Sequence, residues 1–281
     1  MSTPYPSELI PDLPEQHFTV PVNVTLYDMS SGSQLFARVH ITDDEGEYWP
    51  ARGHQKNIQI GWRENVGGDV QVSGKTYAYV KPNFTVDLPP GNYQIEAVKG
   101  MEYLPVKRSF SVRKEQENTV EIGFKRWIDM NGLGWYSGDT HTHFLSADTA
   151  LLEAQAEDLN VINVLATKWG ELITSVNEVI GRPSPVSQPN NIVFYNQESR
   201  HEFLGHTILH PIKELIYPLS WGSDGATGVR GGLDFPPMAY QADEAHRQGG
   251  LVTWAHFPNP HGELAVDVAL GKVDSVDLFT W

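Results

Sequence analysis

From about residue 20 to residue 124, apolar and polar positions alternate in short runs: Val22, Val24 and Leu26; Ala37, Val39 and Ile41; Ile58, Ile60 and Trp62; Phe84, Val86 and Leu88; Tyr93, Ile95 and Ala97; Val120, Ile122 and Phe124. A period of two belongs to strands buried on one face. Between the runs, residues 43–46, Gly67-Gly68 and Pro89-Pro90-Gly91 supply turn chemistry. The pattern predicts an antiparallel β-sandwich over residues 20–125. An extended arm over residues 1–19 precedes it, where Pro4, Pro6, Pro11 and Pro14 fall.

After a joint at 126–133 the grammar changes. Ser146 and Asp148 offer capping side chains, and Leu151, Leu152, Gln155, Ala156 and Leu159 follow at helical spacing. Residues 161–165 and 192–195 read as buried strands and 207–209 as a short one. A second helix is predicted over 238–247, closed by Gly249-Gly250, with a strand over 251–255; one more helix and strand follow at 265–270 and 276–279. Strands that alternate with helices predict a parallel α/β sheet or barrel over 134–281, and so a multidomain chain.

Candidate chemistry begins at Asp139-Thr140-His141-Thr142-His143. Residues two apart on an extended strand point to one side, so His141 and His143 can reach one ion. Imidazole ligates zinc, copper, iron and nickel, and Asp139 stands close enough to accept a ring N–H. Alone, the tripeptide favours a reading as two surface histidines on an exposed strand, so the metal reading depends on further ligands. Further along, Glu198 lies just past the strand over 192–195, His206 opens the strand over 207–209, and His256 follows the one over 251–255. In α/β barrels the C-terminal strand ends carry the active site, so His141, His143, Glu198, His206 and His256 can converge on one mouth. The segment from His201 to His206 mimics a helical zinc motif. Its histidines are five apart, about 140° around a helix, so His201 and Glu202 read as loop residues, as do His210 and His261.

Composition narrows the chemistry. The 281 residues, 40% hydrophobic, suffice for one large domain or two ordinary ones. There is no cysteine, which excludes disulfides, thiolate ligands and cysteine nucleophiles and leaves nitrogen and oxygen to hold any metal. A formal charge of −15 argues against nucleic acid or an anionic membrane as partner. No run approaches the roughly 20 apolar residues of a membrane span, and no signal peptide is visible. Localisation stays open between cytoplasm and, for a trimmed N-terminus, export.

The hairpin Val86-Asp87-Leu88-Pro89-Pro90-Gly91-Asn92-Tyr93-Gln94-Ile95-Glu96-Ala97 and the loop from Lys99 to Tyr103 resemble the transthyretin-like domain of the carboxypeptidase regulatory-like class. Three segments in the second half resemble the polymerase-and-histidinol-phosphatase (PHP) superfamily, within it the carbaryl-hydrolase-like metallohydrolases. They are the stretch Gly138 to His143; Glu198 followed by Leu204-Gly205-His206-Thr207; and the stretch Gly249 to Pro258. This resemblance implies a distorted (β/α) barrel, with His141, His143, Glu198, His206 and His256 as ligands of one to three divalent ions, zinc, manganese or iron. It implies hydrolysis of a small-molecule phosphoester, or a carboxylic or carbamate ester, by metal-activated water whose pKa falls from about 15.7 toward roughly 7. Asp139 would then orient a ligating histidine and Lys168 would hold the developing oxyanion.

Two departures stand against turnover. The family's Asp-His pair is replaced by Ala166-Thr167-Lys168-Trp169, and the sequence reaches Trp281 without the family's late Asp-x-His segment. These imply a fragment or an unusually shortened barrel, whose open edge an oligomer could cover, with Lys168 either bridging ions as a carboxylated side chain or serving as a simple cation. Two further readings compete: a metal-containing binding or assembly module, and a carbohydrate-active protein using Glu198, a second carboxylate and the eight tryptophans.

Overall fold

A computed structural model describes residues 18–54, 69–169, 172–201, 203–222, 235–257 and 262–277. The strand expected at 58–62, most of the arm, Glu202 and His261 lie outside them.

In the first half, alternation produces the strands it predicts. Val20, Val22, Val24 and Leu26 bury one face of β1 (Val20–Asp28), and Ala37, Val39 and Ile41 do the same on β2 (Ala37–Asp43). β3 (Asp69–Val72), β4 (Lys75–Val80), β5 (Asn83–Leu88), β6 (Gly91–Val98), β7 (Val106–Val112) and β8 (Asn118–Phe124) complete this half. The Tyr93 hydroxyl donates to Pro89 O at 2.9 Å and so pins the Pro-Pro-Gly turn that joins β5 to β6. The strands form two sheets, β5-β1-β8 and β3-β4-β2-β6-β7, around one core that includes Leu26, Ile41, Leu88, Ile95, Ile122 and Phe124. Contrary to the antiparallel sandwich expected, β1 and β8 run parallel, with Val24 opposite Val120.

The second half departs further. Its elements are β9 (Gly138–Thr142), α1 (Ala147–Ala156), β10 (Val161–Trp169), β11 (Leu172–Thr174), β12 (Ile192–His201), β13 (Gly205–His210), β14 (Ser220–Trp221), α2 (Met238–Arg247), β15 (Leu251–Trp254), α3 (Leu264–Ala269) and β16 (Ser275–Val276). They make one eight-stranded sheet, ordered β11-β10-β12-β13-β15-β16, with β9 beside β10 and β14 beside β12. A (β/α) barrel is all parallel and carries a helix after each strand. Here β13 runs antiparallel to both β12 and β15, and the described residues hold three α-helices. The expected PHP-type barrel is therefore not formed, and the reason is local. Only residues 202–204 separate β12 from β13, a connection that can close a hairpin but cannot carry a crossover helix.

The helix α1 covers the outer face of this sheet. Ser146 caps it by accepting Thr149 N–H at 3.3 Å, and Ala150 and Ala154 pack on Ile162, Val164, Val193 and Tyr195. The far end of α1 is locked to the β-half. Glu157 takes Arg38 and the Tyr79 hydroxyl (3.0 Å), while Asp158 takes Arg126 (3.1 Å) and the buried Lys99 (3.2 Å), which also donates to Gln155 O at 2.7 Å. Gly100, at φ 47°, is required at this contact, because a Cβ there would run into the Glu157 carbonyl.

The inner face of the sheet carries Leu165, Ile208 and Ala255 as a small apolar floor. The sheet curls: Asp277, directly after β16 at one edge, comes within 3.3 Å of His141 on β9 at the other. Among the described residues no backbone ladder joins β9 to β16.

Candidate metal centre

β9 brings the His-x-His pair to this inner face. It is held in place by Asn163 of β10, whose side-chain amide donates to Thr140 O (2.9 Å) and whose carbonyl accepts the Thr142 hydroxyl (2.8 Å). His141 and His143 point the same way, as their spacing requires, with their Nε2 atoms 3.1 Å apart. Glu198 lies inside β12 rather than past its end and is fully buried. Its Oε1 stands 3.6 Å from His141 Nε2, 3.4 Å from His206 Nδ1 and 3.7 Å from His256 Nε2. Its Oε2 stands 3.3 Å from His143 Nε2 and accepts a 2.9 Å hydrogen bond from Arg200 Nη1.

His206 enters from the start of β13, which the hairpin lays beside β12, with Arg200 opposite His206. His256 comes from the turn after β15 and adopts φ 61°, a left-handed conformation that non-glycine residues seldom take. Strain of this kind persists where surrounding contacts over-determine it, and here it turns the imidazole toward Glu198.

These separations have a chemical meaning. Two donors each about 2.05 Å from a tetrahedral zinc stand roughly 3.3 Å apart. The separations here run from 3.1 to 3.7 Å, and the ligand atoms of His141, Glu198 and His256 all fall within 4.8 Å of one another. Glu198 Oε1 is buried and has no well-formed hydrogen bond, although it is a carboxylate oxygen with lone pairs to fill. A donor set of imidazoles and one carboxylate suits zinc, iron, nickel or copper rather than calcium or magnesium. The residues present fit a divalent transition metal.

Charge is distributed to match. Burial alone would raise the Glu198 carboxyl, but His141, His206, His256 and Arg200 hold it well below the usual carboxylate range. Burial would lower the His141 imidazole, yet the facing carboxylates of Asp277 and Glu198 push it up to about 9. His143 goes the other way, to about 4, because burial and the cationic His141 and Arg200 outweigh the attraction of Glu198.

The structure thus brings His141, His143, Glu198, His206 and His256 together. Asp139 is placed otherwise than expected: it is exposed, and its Oδ1 accepts the backbone N–H of His141 at 3.0 Å, whereas the ring Nδ1 of His141 faces Asp277. Lys168 lies on β10 one position beyond Thr167, and strand alternation turns it to the side of Ile162 and Val164, away from the cluster. His201 is no loop residue. It is buried at the end of β12, where its Nδ1 accepts the N–H groups of Phe203 (3.1 Å) and Leu204 (3.0 Å) and so shapes the hairpin that delivers His206. Arg200 and Asp277 went unrecognised in the sequence. The Glu-x-Arg spacing on a strand was the available signal for Arg200; Asp277 had none.

No family model matches the chain, and no curated protein matches it. Among solved structures it is similar to a streptococcal ancillary pilin (12% identity, TM-score 0.25, covering 40% of this chain and 33% of that one) and to the major pilin subunit of Bacillus cereus (17%, 0.24, 39% and 30%). A pilus-presented adhesin is a third (13%, 0.22, 42% and 28%). The chain spans about a third of the length of each, and likeness this slight assigns no role. The resemblance to PHP hydrolases fails on the fold: among the described residues a mostly β structure with a mixed sheet stands where the family has its barrel, and no family model matches the chain. The hydrolysis expected through that resemblance, with its Lys168 oxyanion role, falls with it. The module reading drawn from the same family falls too. No helix among the described residues is long and apolar enough to cross a membrane.

Proposed function

We propose that the second half of this chain binds a divalent transition-metal ion through Glu198 and the imidazoles of His141, His143, His206 and His256. The observation that carries this is Glu198. A fully buried carboxylate stands 3.3–3.7 Å from nitrogens of four imidazoles, and its Oε1 makes no well-formed hydrogen bond, which is the donor spacing that a shared ion accounts for. The Nε2 atoms of His141 and His143 stand 3.1 Å apart, and one cation would take both as ligands once they are unprotonated. Zinc or iron would meet the nitrogen-rich donor set well, manganese less so.

Elemental analysis of the purified full chain tests the reading, together with Co2+ titration after chelator treatment. About one or more equivalents of metal are expected in the parent, with content and affinity falling sharply in His141→Ala and His256→Ala. Full metal content in both variants would show that the histidines are not ligands.

A further inference from the structure

We propose that Asp277 is the positioning residue of this centre, fixing the ring of His141 so that its Nε2 is presented to the metal. The proposal rests on the metal-binding reading above and adds a residue that no motif announces. Two observations support it. Asp277 Oδ2 lies 3.3 Å from His141 Nδ1, on the side of the ring opposite the cluster, where Nε2 stands 3.6 Å from Glu198 Oε1. The same oxygen accepts the backbone N–H of His256 at 3.4 Å, so one carboxylate addresses both the strand of one candidate ligand and the turn of another.

A metal-bound imidazole generally donates its second N–H to a carboxylate or carbonyl, and that partner fixes which nitrogen is left for the ion. Asp139 does not fill this place, because its carboxylate is spent on the His141 backbone. The position also explains the curl of the sheet. β9 and β16 share no ladder among the described residues, and the contact from Asp277 to His141 is a side-chain tie between the two edges.

The test compares the full chain with Asp277→Asn and Asp277→Ala, by Co2+ titration and by NMR of the His141 ring. Loss of such a partner typically weakens metal binding 10–100-fold. That loss is expected for Asp277→Ala, and a smaller one for Asp277→Asn, whose amide oxygen still accepts Nδ1–H. The Nδ1 proton of His141 is expected to be protected from solvent exchange in the parent, with or without metal, and exposed in Asp277→Ala. Melting of the metal-free proteins identifies a variant that does not fold, in which case the isosteric Asp277→Asn decides. Co2+ affinity of the folded variants within twofold of the parent, or a His141 proton unprotected in the parent, would overturn the proposal. A parent that ignores Co2+ yet protects the proton would instead refute the metal reading and leave the Asp277 pairing standing.

Discussion

The two halves of the molecule handle buried polarity in opposite ways. Among the described residues, the β-half buries Asp28, Lys99 and Asn118, each with partners at the margin of an apolar core. The second half buries Asn163, Thr167, Asn196, Gln197, Glu198, Ser199, His201, Thr207, Gln241 and Thr253 among others, several of them on the inner face of one sheet. Buried polar groups oppose folding unless every one is paired. A fold that tolerates this many along neighbouring strands has given up stability for a specific arrangement of donors and acceptors, whereas the β-half supplies cohesion. The joint between them, where Lys99 and Arg126 meet Asp158, transmits that cohesion to α1 and through it to the sheet bearing the site.

The comparison is sharpest where the largest effects lie. Phe124 is fully buried in the first core, and Phe124→Ala is expected to cost about 3–5 kcal/mol of stability while leaving the metal affinity of the folded protein unchanged. His256→Ala should do the reverse. Structural zinc sites bind with about 10–16 kcal/mol over four ligands, so losing one ligand should weaken binding by roughly 10²–10³-fold. The metal-free chain should change by no more than about 1 kcal/mol. Chemical denaturation with and without Zn2+ separates the two; a His256→Ala chain destabilised as severely as Phe124→Ala without metal would show that the cluster is part of the structural core.

The next effect is a pH dependence confined to the second half. In the metal-free chain the His141 imidazole is pushed up to about 9, and its Nε2 must lose that proton to ligate. Apparent metal affinity should therefore rise about tenfold per pH unit up to about 9 and level off above it. His143, at about 4, is already neutral and adds no slope in this range. Stability of the metal-free chain should move oppositely: a raised imidazole stabilises the fold fully below its unfolded value of about 6.5, and that contribution disappears as pH rises through about 9. Calorimetric titration of Zn2+ between pH 6 and 9.5 checks the first trend, and affinity independent of pH would contradict it.

What the sequence disclosed, and what it hid, follows the same division. Alternation marks β1, β2, β5, β6 and β8 because each buries one face, and the helix expected over 238–247 forms as Met238–Arg247. The sequence placed His141, His143, Glu198, His206 and His256 near one another by putting them at strand ends, whereas Glu198 and His141 lie within β12 and β9 and meet the others on the inner face of the sheet. The sheet's direction was hidden, because the strands read from the pattern at 192–195 and 207–209 leave eleven residues between them, and only the longer β12 and β13 shorten that link to 202–204 and make it a hairpin. Asp277 could not be found, being one carboxylate among 35 and following a two-residue strand with no periodicity to read. The parallel pairing of β1 with β8 was hidden for a related reason: the period-two pattern is identical for either direction.

The smallest expected effect belongs to the β-half and completes the contrast, since Glu96 there serves local partners on neighbouring strands and no shared centre. Glu96 on β6 receives Lys75 Nζ at 2.8 Å and the Tyr77 hydroxyl at 2.7 Å, with Lys107 Nζ at 3.1 Å. Partial burial would raise its carboxyl, but these three partners bring it down to about 2. Because the folded value is depressed, the group stabilises the fold above its unfolded pKa near 4.5 and loses that contribution as pH falls through about 2. Lys75 and Lys107 are substantially exposed, so solvent screening limits the contribution to about 1 kcal/mol or less. Glu96→Gln should accordingly lower the melting point slightly at pH 7, converge with the parent near pH 2, and leave Co2+ binding at pH 7 untouched. Thermal melts of both proteins across that range measure it. A Glu96→Gln change that shifted metal affinity would mean that the β-half reaches the site by a route other than α1.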